Sequence, residues 1–300
     1  VVIDGVDYFD GKTIQTEQFY DILDDIGRDV KTYHINPAMF QDAFMPYAKA
    51  GDSVVYLCFS TGIAGTYNAA NIAKNAILDE YPDFDLDIVD SKSASIGFGL
   101  VVSKLVTMKE KGASKEEILE AARYYISHIR HVFTVQTLAY LIKGGRLTKF
   151  KGTIAETLQM KPVLIVDKDG ALAVVKTVRG RRKSLHYLVE YAKNAGFCLE
   201  NQTVALCHGE DGESAELMES MIREEIRPGG IMPSARIPDG VSWESASLTR
   251  TTESFRGIFR PAPAALFRYD IDMMKDGSRY GFKDKPPCAA GAEGAFFMCG

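Results

Sequence analysis

The chain has 300 residues, 46% of them apolar and 25% charged, with a formal charge of −5. That length accommodates two domains with separate cores, and the composition is ordinary for a globular protein. A net acidic chain exerts no global attraction on nucleic acid or an anionic membrane, so the expected partner is a small ligand or a protein, with at most transient membrane contact and no nucleic acid.

Val1 to Ile3 reads as a strand followed by an Asp4-Gly5 turn, and an opening directly in a strand without methionine leads to the expectation of a missing N-terminal piece. Residues 53–59, SVVYLCF, form a β-branched and aromatic run between Asp52 and a Ser-Thr-Gly segment, the pattern of a buried parallel strand, and a helix should follow from about Thr66. LDIVD at 86–90 is a second strand, leading through Ser91 and Lys92 into an apolar helix near Gly97 to Lys111. Ser114 and Glu117 have capping-box spacing, which predicts an amphipathic helix from about Ile118 to His128. Strands alternating with helices imply a parallel sheet. Residues 1–130 are therefore read as one α/β domain.

After His131 the texture changes. In KPVLIVDKDGALAVVKTVRGRRK, Asp169-Gly170 separates two apolar runs as a hairpin turn would. A helix around Ser184 to Ala195, the strand TVALCH at 203–208 and a helix from Glu213 to Glu225 complete a second, smaller α/β domain with a mixed sheet, residues 131–230. Seven of the eleven prolines fall after Arg227, and no strand-like run is legible there. Residues 231–300 are expected to be an atypical tail, out of frame or disordered.

The strongest local signal is Ser60-Thr61-Gly62-Ile63-Ala64-Gly65-Thr66, where a parallel strand hands over to a helix. Glycines let backbone approach a ligand, and hydroxyls at the strand's carboxyl end join first-turn N–H groups in favouring an anion. The same residues also suit a tight turn with a hydroxyl cap. A phosphate-binding P-loop is excluded because the Gly-Lys-Ser/Thr ending is absent. Lys143-Gly144-Gly145-Arg146 suits either a helix C-cap or recognition of a phosphate or acidic partner. Arg179 to Lys183 is a basic cluster that suits either a solvated surface or recognition of a phosphate or an acidic partner.

His128 and His131 are three apart with no third ligand evident, and His208 has no legible catalytic partner, so no metal and no catalytic residue is assigned. Five cysteines without a CxxC pair predict reduced, mostly buried thiols. No run approaches the ~18 apolar residues of a spanning helix, and a cytoplasmic location is expected.

STGIAGTYNAA at 60–70 resembles the Ser-Ser-Gly-Leu-Ser-Gly-Thr-Tyr signature of the DegV family. VDSKSASIGFG at 89–99, LAYLIKGGRLTKFKG at 138–152 and LQMKPVLIVDKDGALAVVKTVRGRRK at 158–183 are similar to further blocks of that family, in the same order. The resemblance covers most of residues 1–225 and implies a Rossmann-like parallel-sheet N-terminal domain joined to a smaller α/β domain, with one acyl chain at their junction. It implies a lipid-binding protein without a catalytic site or cofactor, which presents a long-chain fatty acid to a separate fatty acid kinase subunit for acyl-phosphate formation. Carried over, Thr32, Ser60 and Thr61 match the residues that hold the carboxylate, and Arg146 matches a signature arginine at the pocket mouth; beside these, Gly62, Gly65, Gly144 and Gly145 are read as loop backbone, and Arg146 and Arg179 as partner or phosphate contacts.

Three features depart from the family. Tyr33 replaces the usual serine after Thr32, the family's first strand would precede Val1, and no histidine follows His208 where a His-Thr-Gly-Pro-Gly motif belongs. The alternatives are a small α/β hydrolase or phosphotransferase, and an incomplete relative that binds poorly.

Overall fold

The computed structural model describes residues 1–9, 13–24, 28–32, 35–147, 159–209, 211–236, 266–269 and 295–299. It begins with a short hairpin, β1 (Val2–Ile3) and β2 (Val6–Asp7), whose turn residues Asp4 and Gly5 both have positive φ, 48° and 83°. This is the turn that Asp-Gly favours because it matches the strands' twist. Helix α1 (Thr16–Asp24) follows, and β3 (Val30–Lys31) pairs antiparallel with β1.

Helix α2 (Pro37–Ala50) starts at an Asn36 cap with proline in the first turn and ends at Gly51 in the left-handed region. Its Phe40 and Phe44 meet Tyr56 edge-on at 5.5 Å, anchoring α2 to strand β4 (Ser53–Cys58). β4 is buried along its whole length and pairs parallel with β5 (Leu86–Asp90), with α3 (Thr66–Leu78) between them in sequence. A parallel strand covered on both faces has no polar side to show, hence the continuous apolar run.

Helix α4 (Ser95–Glu110) is buried on every side from Ser95 to Val102. A helix that is apolar all round needs cover all round. The β4–β5 layer supplies part of it, α5 (Lys115–His128) another, and strands of the second domain the rest. The Ser114–Glu117 capping box that starts α5 is formed in both directions.

The second domain contains β6 (Arg130–Thr134), α6 (Ala139–Lys143), β7 (Met160–Val166), β8 (Leu172–Arg179), α7 (Arg181–Ala195), β9 (Thr203–His208), α8 (Gly212–Met221) and β10 (Gly230–Arg236). Two further strands are β11 (Leu266–Tyr269) and β12 (Ala295–Cys299). The six-stranded sheet has the order β10-β9-β12-β6-β7-β8, parallel from β10 to β6 and antiparallel from β6 to β8. It is the expected mixed sheet. Its core residues Val132, Val163, Val204 and Leu206 pack with Leu185 and Leu188 of α7 and Met218 of α8.

The region beyond Arg227 differs from expectation in containing three strands. β12 lies between β6 and β9, and β11 pairs antiparallel with β4 at the edge of the first domain's sheet. They escape sequence reading because β11 has four residues and β10 contains Pro233. Proline is tolerated in β10 because that strand is at the sheet edge, and its register shifts between Met232 and Ala235. The remaining tail, 237–265, 270–294 and 300, lies outside the described residues, and with it the expectation of disorder or a foreign reading frame there. Cys58 and Cys207 are buried thiols as expected, whereas Cys198 is disulfide-bonded.

Lys115, whose side chain is 6% exposed, ties the start of α5 to β5 through Asp85 at 2.6 Å and Asp87 at 2.8 Å. Burial opposes ionisation of Asp85, but hydrogen bonds from Lys115 and Ser53 outweigh it and hold the carboxyl below its ordinary value. A depressed folded value means that this stability is present above about pH 4 and is lost as pH falls through the folded value. Asp85→Asn should therefore lower stability at pH 7 and flatten the acid limb of a urea-midpoint-versus-pH curve; superimposable curves for the two proteins refute this.

Candidate functional site

Strands β4 and β5 run side by side, and the loops leaving their carboxyl ends carry Ser60 and Lys92 to one place. Ser60 is fully buried; its N–H donates to Ser93 O at 3.1 Å, and its carbonyl accepts from the N–H groups of Ile63 and Ala64. These bonds fix the hydroxyl's direction. Ser60 Oγ donates to Gly170 O at 2.6 Å and accepts from Gly62 N at 3.2 Å.

Gly170 belongs to the second domain, at the tip of the β7–β8 hairpin. Asp167 Oδ1 organises that tip by accepting from Asp169 N and Ala171 N, and Gly170 sits at φ 79°. The approach is close enough to require glycine on both sides. A Cβ on Gly62 would stand 2.5 Å from the Gly170 carbonyl, and one on Gly170 would stand 2.1 Å from Ser60 Oγ. The signature glycine Gly62 is thus explained by the approach of the other domain. Gly65 precedes α3 and makes no side-chain cap.

Thr61, adjacent in sequence, has a different environment. It is exposed, and its hydroxyl donates to Asp90 Oδ2 at 2.5 Å while its N–H donates to Asp90 Oδ1 at 3.2 Å. Asp90 also accepts from Lys92 N and forms an ion pair with Lys92 Nζ at 2.8 Å. Burial works against this carboxylate, but the hydrogen bonds from Lys92 and Thr61 prevail and hold Asp90 below its ordinary value.

The protons of Ser60 and Thr61 therefore point to different acceptors. A ligand carboxylate can take the Ser60 proton only by replacing the Gly170 carbonyl, since a hydroxyl has one proton to give. Ser93, next in the loop, is fully buried, and its hydroxyl has no hydrogen-bond partner among the described residues. Buried hydroxyls are ordinarily paired, so this one is a further group able to meet a ligand.

Asp90, Lys92 and Ser93 were not singled out from sequence. Their signal lay in the VDSKSASIGFG block, whose polar residues precede α4.

The remaining expected site residues belong to other elements. Thr32 follows β3 and is half-buried; Tyr33 and His34 beside it lie outside the described residues. Gly144 to Arg146 form a helix cap in which Gly145, at φ 72°, donates to Ile142 O, and Arg146 N donates to Leu141 O. That pair of bonds is the Schellman pattern. The Arg146 guanidinium turns back to Gly144 O, and Arg179 Nε donates to Gln159 Oε1 at 3.0 Å.

His128 stacks on Tyr124 at the end of α5, whereas His131 is buried in β6 against Gly97, so the two are not a ligand pair. Burial, with the Arg130 charge adding, pushes His131 down to about 3 and keeps its ring neutral. Among the described residues no cluster of three or more metal-ligating side chains occurs. No helix among them is long and apolar enough to cross a membrane. A cavity of about 380 Å³ is lined by Arg223, Arg227 and Pro228 to Ile231, and the Ser60 loop takes no part in it.

The family described as "Uncharacterised protein, DegV family" matches residues 1–236. The chain belongs to the DegV family. A DegV domain-containing protein of Clostridium perfringens is 35% identical over 225 residues, covering 74% of this chain and 77% of the relative. Among solved DegV-like structures, a stearic acid-binding protein from Eubacterium ventriosum is 29% identical with a TM-score of 0.66, covering 74% of this chain and 77% of its own. The Streptococcus pneumoniae fatty acid kinase B3 protein, loaded with linoleic acid, shares the fold at 24% identity and a TM-score of 0.67, over 77% of this chain and 82% of that one.

The glycine contact gives a direct test of the domain junction. Gly62→Ala forces a methyl group onto the Gly170 backbone, and overpacking of this kind costs about 1–3 kcal/mol. The variant should unfold at lower urea concentration than wild type; an unchanged midpoint refutes the contact.

Proposed function

We propose that this DegV protein binds a long-chain fatty acid between its two domains and presents the carboxylate to a separate kinase subunit for acyl-phosphate formation. The observation that carries the reading is the buried Ser60 hydroxyl at the carboxyl end of β4, facing the second domain beside the uncommitted Ser93 hydroxyl. Fatty-acid binding by a 29%-identical neighbour supports it. The kinase step rests on the more distant likeness to the kinase B3 protein.

In this reading Ser60, with Thr32 and Thr61, holds the carboxylate, and the Gly170 carbonyl gives way when the ligand enters. An acyl tail of roughly 14 methylenes at about 0.8 kcal/mol each contributes ~11 kcal/mol before the costs of association. The tail supplies affinity and the hydroxyls orientation. Arg146 and Arg179 serve the partner or the phosphate, and the protein acts in the cytoplasm as a carrier without its own catalytic site. Residues 1–130 and 131–230 form its two domains, with β10 and β12 of the expected tail joining the sheet of the second.

Native mass spectrometry of the purified chain should show a co-purified fatty acid. Ser60→Ala should weaken fatty-acid binding by about 1.5–3 kcal/mol, the worth of a hydrogen bond to a charged group, or roughly ten- to hundredfold in Kd. An unchanged Kd by titration calorimetry removes Ser60 from the head-group site. Arg146→Ala should leave that Kd nearly intact while slowing acyl-phosphate formation in a reconstituted kinase assay. Loss of both together would instead assign Arg146 to the carboxylate.

A further inference from the structure

Lys92 has no task in the fatty-acid reading above, yet its placement is more constrained than that of a surface lysine. Its backbone is held at φ 49°, in the left-handed region that a side chain with a Cβ rarely adopts. A glycine would relieve the strain but would remove the ammonium group. Strain of this kind gathers at ligand sites, where surrounding structure holds it in place.

The surroundings here are specific. Asp90 accepts from the backbone N–H of Lys92 and pairs with its Nζ at 2.8 Å, while the same Nζ donates to Thr61 Oγ1 at 3.1 Å. An ammonium carries three protons, and these two partners use two of them. The side chain remains 37% exposed, so the third proton can reach an incoming group. The stem also runs past the hairpin tip. The point where a Gly170 Cβ would stand is 3.0 Å from Lys92 Cδ and 2.1 Å from Ser60 Oγ, so the lysine stem and the Ser60 hydroxyl border one point in space.

We infer that Lys92 is the charge-reading residue of the head-group site, making it take an ionised carboxylate in preference to a neutral ester of the same acyl chain. The inference rests on the fatty-acid reading above. Ser60 provides only part of this selectivity, because its hydroxyl also donates to an ester carbonyl, though its bond to a carboxylate is the stronger. A positioned ammonium adds a Coulomb attraction between full charges that an ionised carboxylate feels and a neutral ester does not. Asp90 keeps the cation aimed at the junction while the site is empty, and Thr61, by accepting from Lys92, also positions that cation beside its own place in the head-group site.

The test compares hexadecanoic acid with its methyl ester, measured as Kd on the full chain for wild type, Lys92→Met, Lys92→Arg and Ser60→Ala. Wild type should prefer the acid by about tenfold or more. Lys92→Met should lose most of that preference by weakening the acid far more than the ester, and Lys92→Arg should retain it. A preserved acid-to-ester ratio in Lys92→Met overturns the assignment, whether both affinities stand or both fall, as does a wild type with no preference. If Lys92→Met keeps the ratio while Ser60→Ala weakens the acid, the head-group reading survives without Lys92. If wild type binds neither compound, both readings fail.

Discussion

The burial of α4 on all sides is the constraint from which the rest of the molecule's arrangement follows. From Ser95 to Val102 the helix offers no polar face to water, so it must be enclosed. One domain cannot do this alone. The core that surrounds it joins Val54 to Leu57 of the parallel sheet with Leu164, Ala205 and Cys207 of the mixed sheet. Gly97 lets α4 approach His131 so closely that a methyl group there would collide with the imidazole. The two domains therefore share a core, and the loops at the carboxyl ends of β4 and β5 are carried to a fixed boundary between them.

At that boundary the polar groups are allotted unequally. Ser60 reaches across the junction to the hairpin tip, while Thr61 stays within its own domain on Asp90. Asp90 gathers two N–H groups, a hydroxyl and an ammonium, which offsets the cost of its partial burial. The result is a compact polar cluster above an apolar helix, a combination suited to a ligand with an ionised head and a long apolar tail.

Much of this was legible in the sequence, unevenly and for identifiable reasons. LDIVD and TVALCH coincide with β5 and β9 because short β-branched runs bounded by polar residues leave few other options. Ser114 and Glu117 marked the start of α5 because a capping box is a local contract between residues three apart. Asp169-Gly170 marked the hairpin for the same reason. The strands beyond Arg227 were not legible, since β12 acquires its meaning only from β6 and β9, neighbours distant in sequence.

The sequence by itself determined the alternation of strands and helices, the mixed second sheet, the family, and the presence of hydroxyls and glycines after β4. Each of these rests on local pattern, turn chemistry or a contiguous motif. Only the tertiary structure decided that Gly62 answers to Gly170, that Ser60 and Thr61 donate to different acceptors, and that Asp90, Lys92 and Ser93 join them. The Ser60–Gly170 bond links residues 110 positions apart. Such a pairing is set by how two domains close around α4, a property of the whole core that no local stretch of chain encodes.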